Sequence, residues 1–325
     1  MSIIDPRILR HLEGKPAEFI KAFKERKYDS EEEFILRVCG EKYSKNHYIK
    51  LKSRTIQILQ SLAAMSSSRG GGVLKKKYDS CARKFIVAQK FLNIGEIKEG
   101  MIVMKQVHDE AVEYNFLHLA CETASLLYLN SLHYHGDEKQ AAIYAFQGKE
   151  YMREYLAEKN AFYSFYQAYC HRDHSDRALE LNRALAKIQE YKGKGLKYAF
   201  YKHRLRILYH FHQADHQLVI QECEQALDFF KDKKGVYSST YLFFYLTAGV
   251  AHLSIARYED AEERLTQAMT YAPKNSQNDA ILQFYRLLTA MHQGAFEQAY
   301  ALFLKNKDCA DQQIQNLFRL VEAYF

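Results

Sequence analysis

Proline is nearly absent from this chain of 325 residues, and Pro6, Pro16 and Pro273 are its only examples. Proline lacks a backbone N–H and clashes with the preceding helical turn, so it breaks helices in their interior. Glycine is also scarce, with 14 residues in the whole chain. The long proline-free stretch between Pro16 and Pro273 therefore predicts an all-α fold made of nearly continuous helix.

Long apolar runs are missing as well. No stretch approaches the roughly 18 apolar residues that a membrane-spanning helix needs. The first residues, MSIIDPRILRHLEGK, lack the apolar core of a secretory signal. We therefore expect a cytoplasmic protein without a membrane partner.

Signatures of metal sites and catalytic sites are also missing. The six cysteines are scattered, and neither a C-x-x-C pair nor an H-E-x-x-H motif occurs. His212 and His216 are close in sequence, but they lack the remaining ligands of a zinc signature. No serine stands in a nucleophile elbow, and the glycines before Lys75 do not have phosphate-loop spacing. The sequence predicts no catalytic residue, no metal and no cofactor.

A small residue recurs about every 40 positions, usually after a short polar turn and before an apolar helical pattern. The positions are Gly100, Ala141, Ala178, Val219, Ala261 and Ala299, with valine as the larger exception. A fixed period of this size is typical of stacked helix pairs. We expect an α-solenoid of about six antiparallel helix pairs over residues 79–308.

The clearest unit covers residues 242–275 and resembles a tetratricopeptide repeat. Tyr245 occupies the large aromatic position of the first helix, and Gly249 is the small residue where the two helices touch. Tyr258 lies at the turn, Ala261 at the small position of the second helix, and Pro273 at the helix end. The spacing of the units exceeds the 34 residues usual in that family, so we expect longer helices than standard repeats have.

The resemblance implies that the first helix of each pair lines a concave groove. Positions seven and eleven residues before each small residue are then expected to face this groove. The predicted groove residues are Asn93, Asn130, Tyr134, Gln167, His171, His212 and His292. Polar side chains of this kind suit a peptide backbone. The alternative is that these positions are merely exposed to solvent.

The ends of the chain have a different character. Residues 1–65 are predicted to form a basic helical bundle, residues 66–78 a Ser/Gly/Lys linker, and residues 309–325 a helix that caps the last repeat. Residues 1–100 carry 21 Lys and Arg against 12 Asp and Glu, a balance of +9, whereas the whole chain has a net charge of +7. The basic excess therefore belongs to the N-terminal third.

This basic third has two interpretations. A short helix, a turn at Gly40 and a basic second helix have the outline of a helix-turn-helix, which predicts phosphate contacts. The predicted contact residues are Lys50, Lys52, Arg54, Lys75, Lys76 and Lys77. The alternative is a lysine-rich surface that is only solvated.

Taken together, the patterns favour a non-enzymatic scaffold or adaptor that binds a protein or peptide in the groove of its repeats. The alternative function is a ligand-switched regulator that contacts nucleic acid through its basic N-terminal helices. A small helical domain before an array similar to tetratricopeptide repeats resembles bacterial peptide-sensing regulators in architecture.

Overall fold

The computed structural model describes Glu33, Asn46 and residues 49–51, 72–170, 177–306 and 312–322. The chain divides into two compact units, residues 1–71 with 75–83 and residues 72–74 with 84–325. Most of the predicted basic bundle, and residues 66–71 of the predicted linker, lie outside the described residues. The described helices belong almost entirely to the second unit.

From residue 72 onward the described ranges contain twelve helices, and no described residue is in a strand, so the all-α prediction is confirmed there. The helices are α1 (Val73–Asn93), α2 (Ile97–Glu113), α3 (Leu117–His135), α4 (Glu138–Cys170), α5 (Arg177–Tyr191), α6 (Leu196–His212), α7 (His216–Phe230), α8 (Ser238–Ser254), α9 (Tyr258–Met269), α10 (Gln277–His292), α11 (Phe296–Asn306) and α12 (Gln312–Glu322). Because α1 begins at Val73, residues 73–78 of the predicted linker are helical. None of these helices has both the length and the apolar composition that crossing a membrane requires.

The recurring small residues occupy equivalent places in the second helices. Five of them are buried, and each is the fourth residue of its helix: Gly100, Ala141, Val219, Ala261 and Ala299. In each case the backbone N–H donates to the carbonyl oxygen four positions earlier, at 2.9–3.1 Å. Ala178 is half-buried in the first turn of α5. The period therefore marks a repeated local structure.

The turn before each of these five second helices is equally regular. Five residues before each of those five small residues, the backbone adopts a positive φ between 56° and 88°: Gly95, Gly136, Ala214, Ala256 and Gly294. This left-handed conformation favours glycine because a Cβ crowds the following carbonyl group. One residue of this kind reverses the chain between the first helix and the second.

The second and third pairs depart from the predicted pattern. The period predicts a turn between them, but α4 continues for 33 residues from Glu138 to Cys170, about 50 Å at 1.5 Å per residue. Residues 148–158 contain no proline, asparagine or aspartate. The turns before α3, α8 and α10 instead contain Asn115, Asp232 and Asn275 with positive φ. The prediction of separate second and third pairs was therefore wrong, because the two pairs share one helix.

Helix α3 runs antiparallel to the first half of α4. The Cys121 thiol donates to the Gly148 carbonyl at 3.8 Å, and the His118 ring lies 6.2 Å from the Tyr155 ring. An open, mainly apolar cavity of about 600 Å³ lies beside these helices. It is lined by Cys121, Ser125, Tyr128, Leu129, Tyr144, Ala145, Gly148, Lys149 and Met152.

Helix α6 runs parallel to the second half of α4. Lys197, near the start of α6, pairs with Glu158 at 3.0 Å, and Tyr201 lies 5.4 Å from Phe162 one turn later along both helices. The second half of α4 and α6 therefore lie side by side.

At the C-terminal end, α12 packs on α10 and α11. Phe318 and Val321 are buried in a cluster with Leu287 of α10 and Phe303 of α11. The Phe318 ring also meets Phe284 edge to face at 5.6 Å. This packing buries the apolar face of α12 on the last helix pair.

Candidate functional site

The predicted groove residues are dispersed over the ends of separate helices. Asn93 and His292 are the last residues of α1 and α10, Tyr134 lies near the end of α3, and Gln167 lies near the end of α4. All four are exposed. The His292 ring is stacked on Tyr258 at 5.6 Å with an interplanar angle of 8°. These four side chains are therefore accessible, but they do not form one compact site.

The other predicted groove residues differ from that group. Asn130 is buried, and its side-chain amide donates to the Leu126 carbonyl at 2.7 Å, so one of its donors is already used inside α3. His212 is half-buried at the end of α6, and His171 lies outside the described residues. Asn130 is consequently a poor candidate for ligand contact.

The predicted phosphate contacts are only partly described. Lys75, Lys76 and Lys77 are exposed in the first two turns of α1, and Lys50 is an exposed helical residue. Lys52 and Arg54 lie outside the described residues. The lysines of α1 thus present three cationic side chains at the surface.

The strongest candidate site is centred on Arg204 of α6. Its guanidinium carbon lies 4.2 Å from the ring centroid of Phe165, 4.6 Å from that of Phe243 and 5.2 Å from that of Phe200. We call these three rings, from α4, α8 and α6, the aromatic cradle. A cation over an aromatic face is attracted by the electron-rich ring, so the cradle holds the guanidinium in place.

The charge of Arg204 has no acidic partner in the part of the chain that the structure describes. Burial lowers the pKa of its guanidinium, while the neighbouring Tyr166 acts in the opposite direction. Arginine nevertheless stays charged in proteins. Its Nε–H is buried and has no hydrogen-bond partner among the described residues. The site therefore contains a half-buried cation with unused bonding capacity.

A second charged cluster on α6 is different because its groups are paired. Glu222 of α7 contacts His203 Nδ1 at 2.6 Å and accepts a hydrogen bond from Arg206 Nη1 at 3.4 Å. Burial opposes ionisation of Glu222, but the hydrogen bonds and charges of His203 and Arg206 outweigh it and hold the pKa of Glu222 below its ordinary value. This cluster joins α6 to α7.

A cavity of about 240 Å³ lies next to the aromatic cradle, between the beginnings of α6 and α8. We call it the inner cavity. Its lining residues are Leu196, Lys197, Phe200, Tyr201, Phe230, Gly235, Val236, Tyr237, Ser239 and Thr240. Phe200 belongs to both the cradle and the cavity wall, so the cation and the cavity are adjacent parts of one surface.

Tyrosines continue this surface along α4. Tyr163, Tyr166 and Tyr169 are 64%, 39% and 54% exposed. Tyrosine provides a large apolar ring and a hydroxyl that both donates and accepts hydrogen bonds. The surface combines one unpaired cation, a small cavity and exposed tyrosines, which suits binding of an anionic and partly apolar ligand.

Over the described ranges, no group of three or more His, Cys, Asp or Glu side chains is arranged to hold a metal ion.

Sequence reasoning missed Arg204, although a signal was present. The predicted groove positions that lie eleven residues before each small residue include Gln167 on α4 and Leu208 on α6. Tyr163 and Arg204 lie one helical turn before these two residues. The aromatic sequence FYSFYQAY at residues 162–169 was a second signal. Extending the predicted groove by one helical turn toward the start of each first helix would have included Arg204.

Comparisons with known proteins provide no family for this chain. No family model matches it, and no curated protein is recognisably similar to it. The resemblance to tetratricopeptide repeats therefore stays a prediction from the residue pattern.

Proposed function

We propose that this chain is a non-enzymatic scaffold or adaptor that binds a protein or peptide on the surface formed by α4, α6 and α8. The observation that supports this proposal is the environment of Arg204, a cation held between Phe165 and Phe243 without an acidic partner among the described residues. Partial desolvation of an unpaired charge is unfavourable for a folded protein. A ligand that brings a negative charge to Arg204 offsets that cost.

Capture of partners by the full-length chain tests this function. The bait would be the wild-type chain, an Arg204→Gln variant, or an Arg183→Gln control. Arg183 is a suitable control because it is an exposed arginine on α5 that pairs with Glu180. We expect the wild type and the control to capture the same protein after nuclease treatment, and Arg204→Gln to lose it. Equal capture by all three chains would contradict the proposal.

The exposed lysines of α1 favour one alternative, a regulator that contacts nucleic acid. Lys75, Lys76 and Lys77 are consecutive and exposed, and clustered lysines bind phosphates in a salt-dependent way. A gel-shift assay with duplex and single-stranded probes at low salt tests it, using a variant with all three lysines changed to glutamine. Loss of a shift in that variant supports the alternative, and no shift with the wild type removes it.

A further inference from the structure

We infer that the preferred ligand is an extended peptide segment that places an Asp or Glu side chain at Arg204 and an apolar side chain, two residues away, in the inner cavity. This inference rests on the proposed function and names the chemistry of the partner. It follows from the geometry of the cradle, the size of the cavity and the distance between them.

The cradle presents the edge of the guanidinium. Phe165 and Phe243 lie against Arg204 at 4.2 and 4.6 Å from its central carbon, and its Nε–H is buried. The N–H groups on its two Nη atoms are therefore the remaining contact points. Those N–H groups form a planar fork that matches both oxygens of a carboxylate. A neutral amide would leave the charge of Arg204 uncompensated. The geometry therefore favours a carboxylate.

The inner cavity fits one apolar side chain. Its volume is about 240 Å³, and its walls include Phe200, Phe230 and Val236. Apolar surface that leaves water on binding contributes favourably to affinity. The hydroxyl groups of Ser239 and Thr240 at the same cavity can meet the peptide backbone. We therefore place Leu, Met or Phe of the partner here.

The spacing of the two sites sets the spacing of the two peptide side chains. The cavity residues of α6, from Leu196 to Tyr201, lie roughly 5 to 12 Å along the helix axis from Arg204 at about 1.5 Å per residue. In an extended peptide, residues i and i+2 point to the same side and are about 7 Å apart. An i, i+2 spacing of the acidic and apolar residues therefore matches the surface.

The acidic group is expected to be a side chain and not the end of a chain. Tyr169 of α4 is exposed toward the ends of the parallel helices α4 and α6, whereas the inner cavity lies toward the start of α6. Because contact surface is present on both sides of Arg204, a peptide backbone can continue past it.

Binding of synthetic peptides to the full chain tests the inference by fluorescence anisotropy. The peptides are acetylated and amidated, are built from Ser, Gly and Thr, and carry one Glu and one Leu separated by i+1, i+2, i+3 or i+4. We expect the i+2 peptide to bind most tightly. Replacing its Glu by Gln should weaken binding by about tenfold or more, because a charge-assisted hydrogen bond is lost. Equal affinity for all spacings, or for Glu and Gln, would overturn the inference.

Two variants separate the two halves of the site. Arg204→Lys keeps the charge but loses the planar fork, and should weaken binding of the Glu peptide by about tenfold. Ser239→Phe fills the inner cavity, and should remove the preference for Leu over Ala while keeping the preference for Glu over Gln. Arg183→Gln is the control and should bind as the wild type does. If the Arg204 variant does not fold, as judged by its thermal transition, Ser239→Phe still provides the test.

The outcomes also distinguish this inference from the proposed function. If a partner protein is captured through Arg204 but no Glu-containing peptide binds, the inference is wrong and the function stands. If neither a partner nor a peptide binds, both are wrong. Binding that requires a free C-terminal carboxylate in place of the internal Glu would also overturn the inference.

Discussion

The carboxylate of Glu154 accepts a hydrogen bond from the backbone N–H of Gly195 at 3.1 Å, although 41 positions separate them. The same oxygen also accepts from the N–H of Lys194 at 2.6 Å. Gly195 precedes α6, and no side chain caps that helix locally. Glu154, in the middle of α4, therefore attaches the segment immediately before α6, the helix that carries Arg204.

Glu154→Ala should lower the free energy of unfolding by about 1–2 kcal/mol, because backbone donors at the start of α6 lose their acceptor. Urea denaturation measures the change. Glu150→Ala is the matched control, since Glu150 lies on the same helix and pairs with the exposed Arg153. It should cost less than about 0.5 kcal/mol. Similar losses for the two variants would show that the long-range bond to Gly195 contributes nothing.

Gly148→Ala should stabilise the protein by about 0.5–1 kcal/mol, because glycine in a helix interior has a larger entropy cost of folding than alanine. A Cβ at this position would lie 3.5 Å from the Ala124 Cβ, which is an ordinary contact. The midpoint of thermal unfolding should therefore rise. A lower midpoint would mean that the junction of α3 and α4 cannot accept an added methyl group.

Gly249→Ala should have the opposite effect. A Cβ at this position would lie 2.8 Å from Leu265 Cγ and 3.4 Å from the Ala261 carbonyl oxygen. Forcing α8 and α9 apart should cost about 1–3 kcal/mol. The same thermal measurement applies, and an unchanged midpoint would contradict the close approach of these two helices.

Ala256→Gly should raise the stability by about 0.5–1 kcal/mol. Ala256 has a φ of 59°, and Gly294 occupies the same place in the following turn. The left-handed conformation costs a non-glycine residue about 1–2 kcal/mol, and the greater freedom of glycine in the unfolded chain offsets part of the gain. Ala142→Gly, on the exposed side of α4, is the control and should lose about 1 kcal/mol. If both variants lost stability by a similar amount, backbone strain at Ala256 would be excluded.

Buried histidines should make the stability depend on pH. His108 is buried, its Nδ1 lies 2.9 Å from Thr123 Oγ1, and burial lowers its pKa below 6.5. Above that value both the folded and the unfolded chain hold the ring neutral. As the pH falls below 6.5 the unfolded chain binds a proton first, so the free energy of unfolding should decrease until the folded pKa is reached.

His108→Gln should make this decrease shallower without removing it, because burial also lowers the pKa of His118 and His252. Urea denaturation at several pH values between about 5 and 8 compares the two chains. A variant that keeps the full pH dependence of the wild type would show that His108 does not contribute to it.

Local features of the fold could be predicted from the sequence where the effect of a residue depends on residues close to it in the chain. Gly100 marks the start of a second helix because an added Cβ would lie 2.7 Å from the Leu92 side chain. The left-handed turn at Ala214 carries no glycine, so nothing in its composition indicates the conformation. The continuity of α4 was missed because the repeat period predicts a turn between the second and third pairs, although residues 148–158 contain no proline, asparagine or aspartate.

By itself, the sequence determined where helices form, since proline scarcity, apolar spacing and small residues act over only a few positions. Tertiary structure alone decided what surrounds Arg204. Phe165 lies one repeat before it and Phe243 one repeat after it, and only the side-by-side packing of α4, α6 and α8 brings these rings to one guanidinium. The physical reason is that burial and pairing of a charge depend on distant parts of the chain, whereas helix formation depends mainly on neighbouring residues.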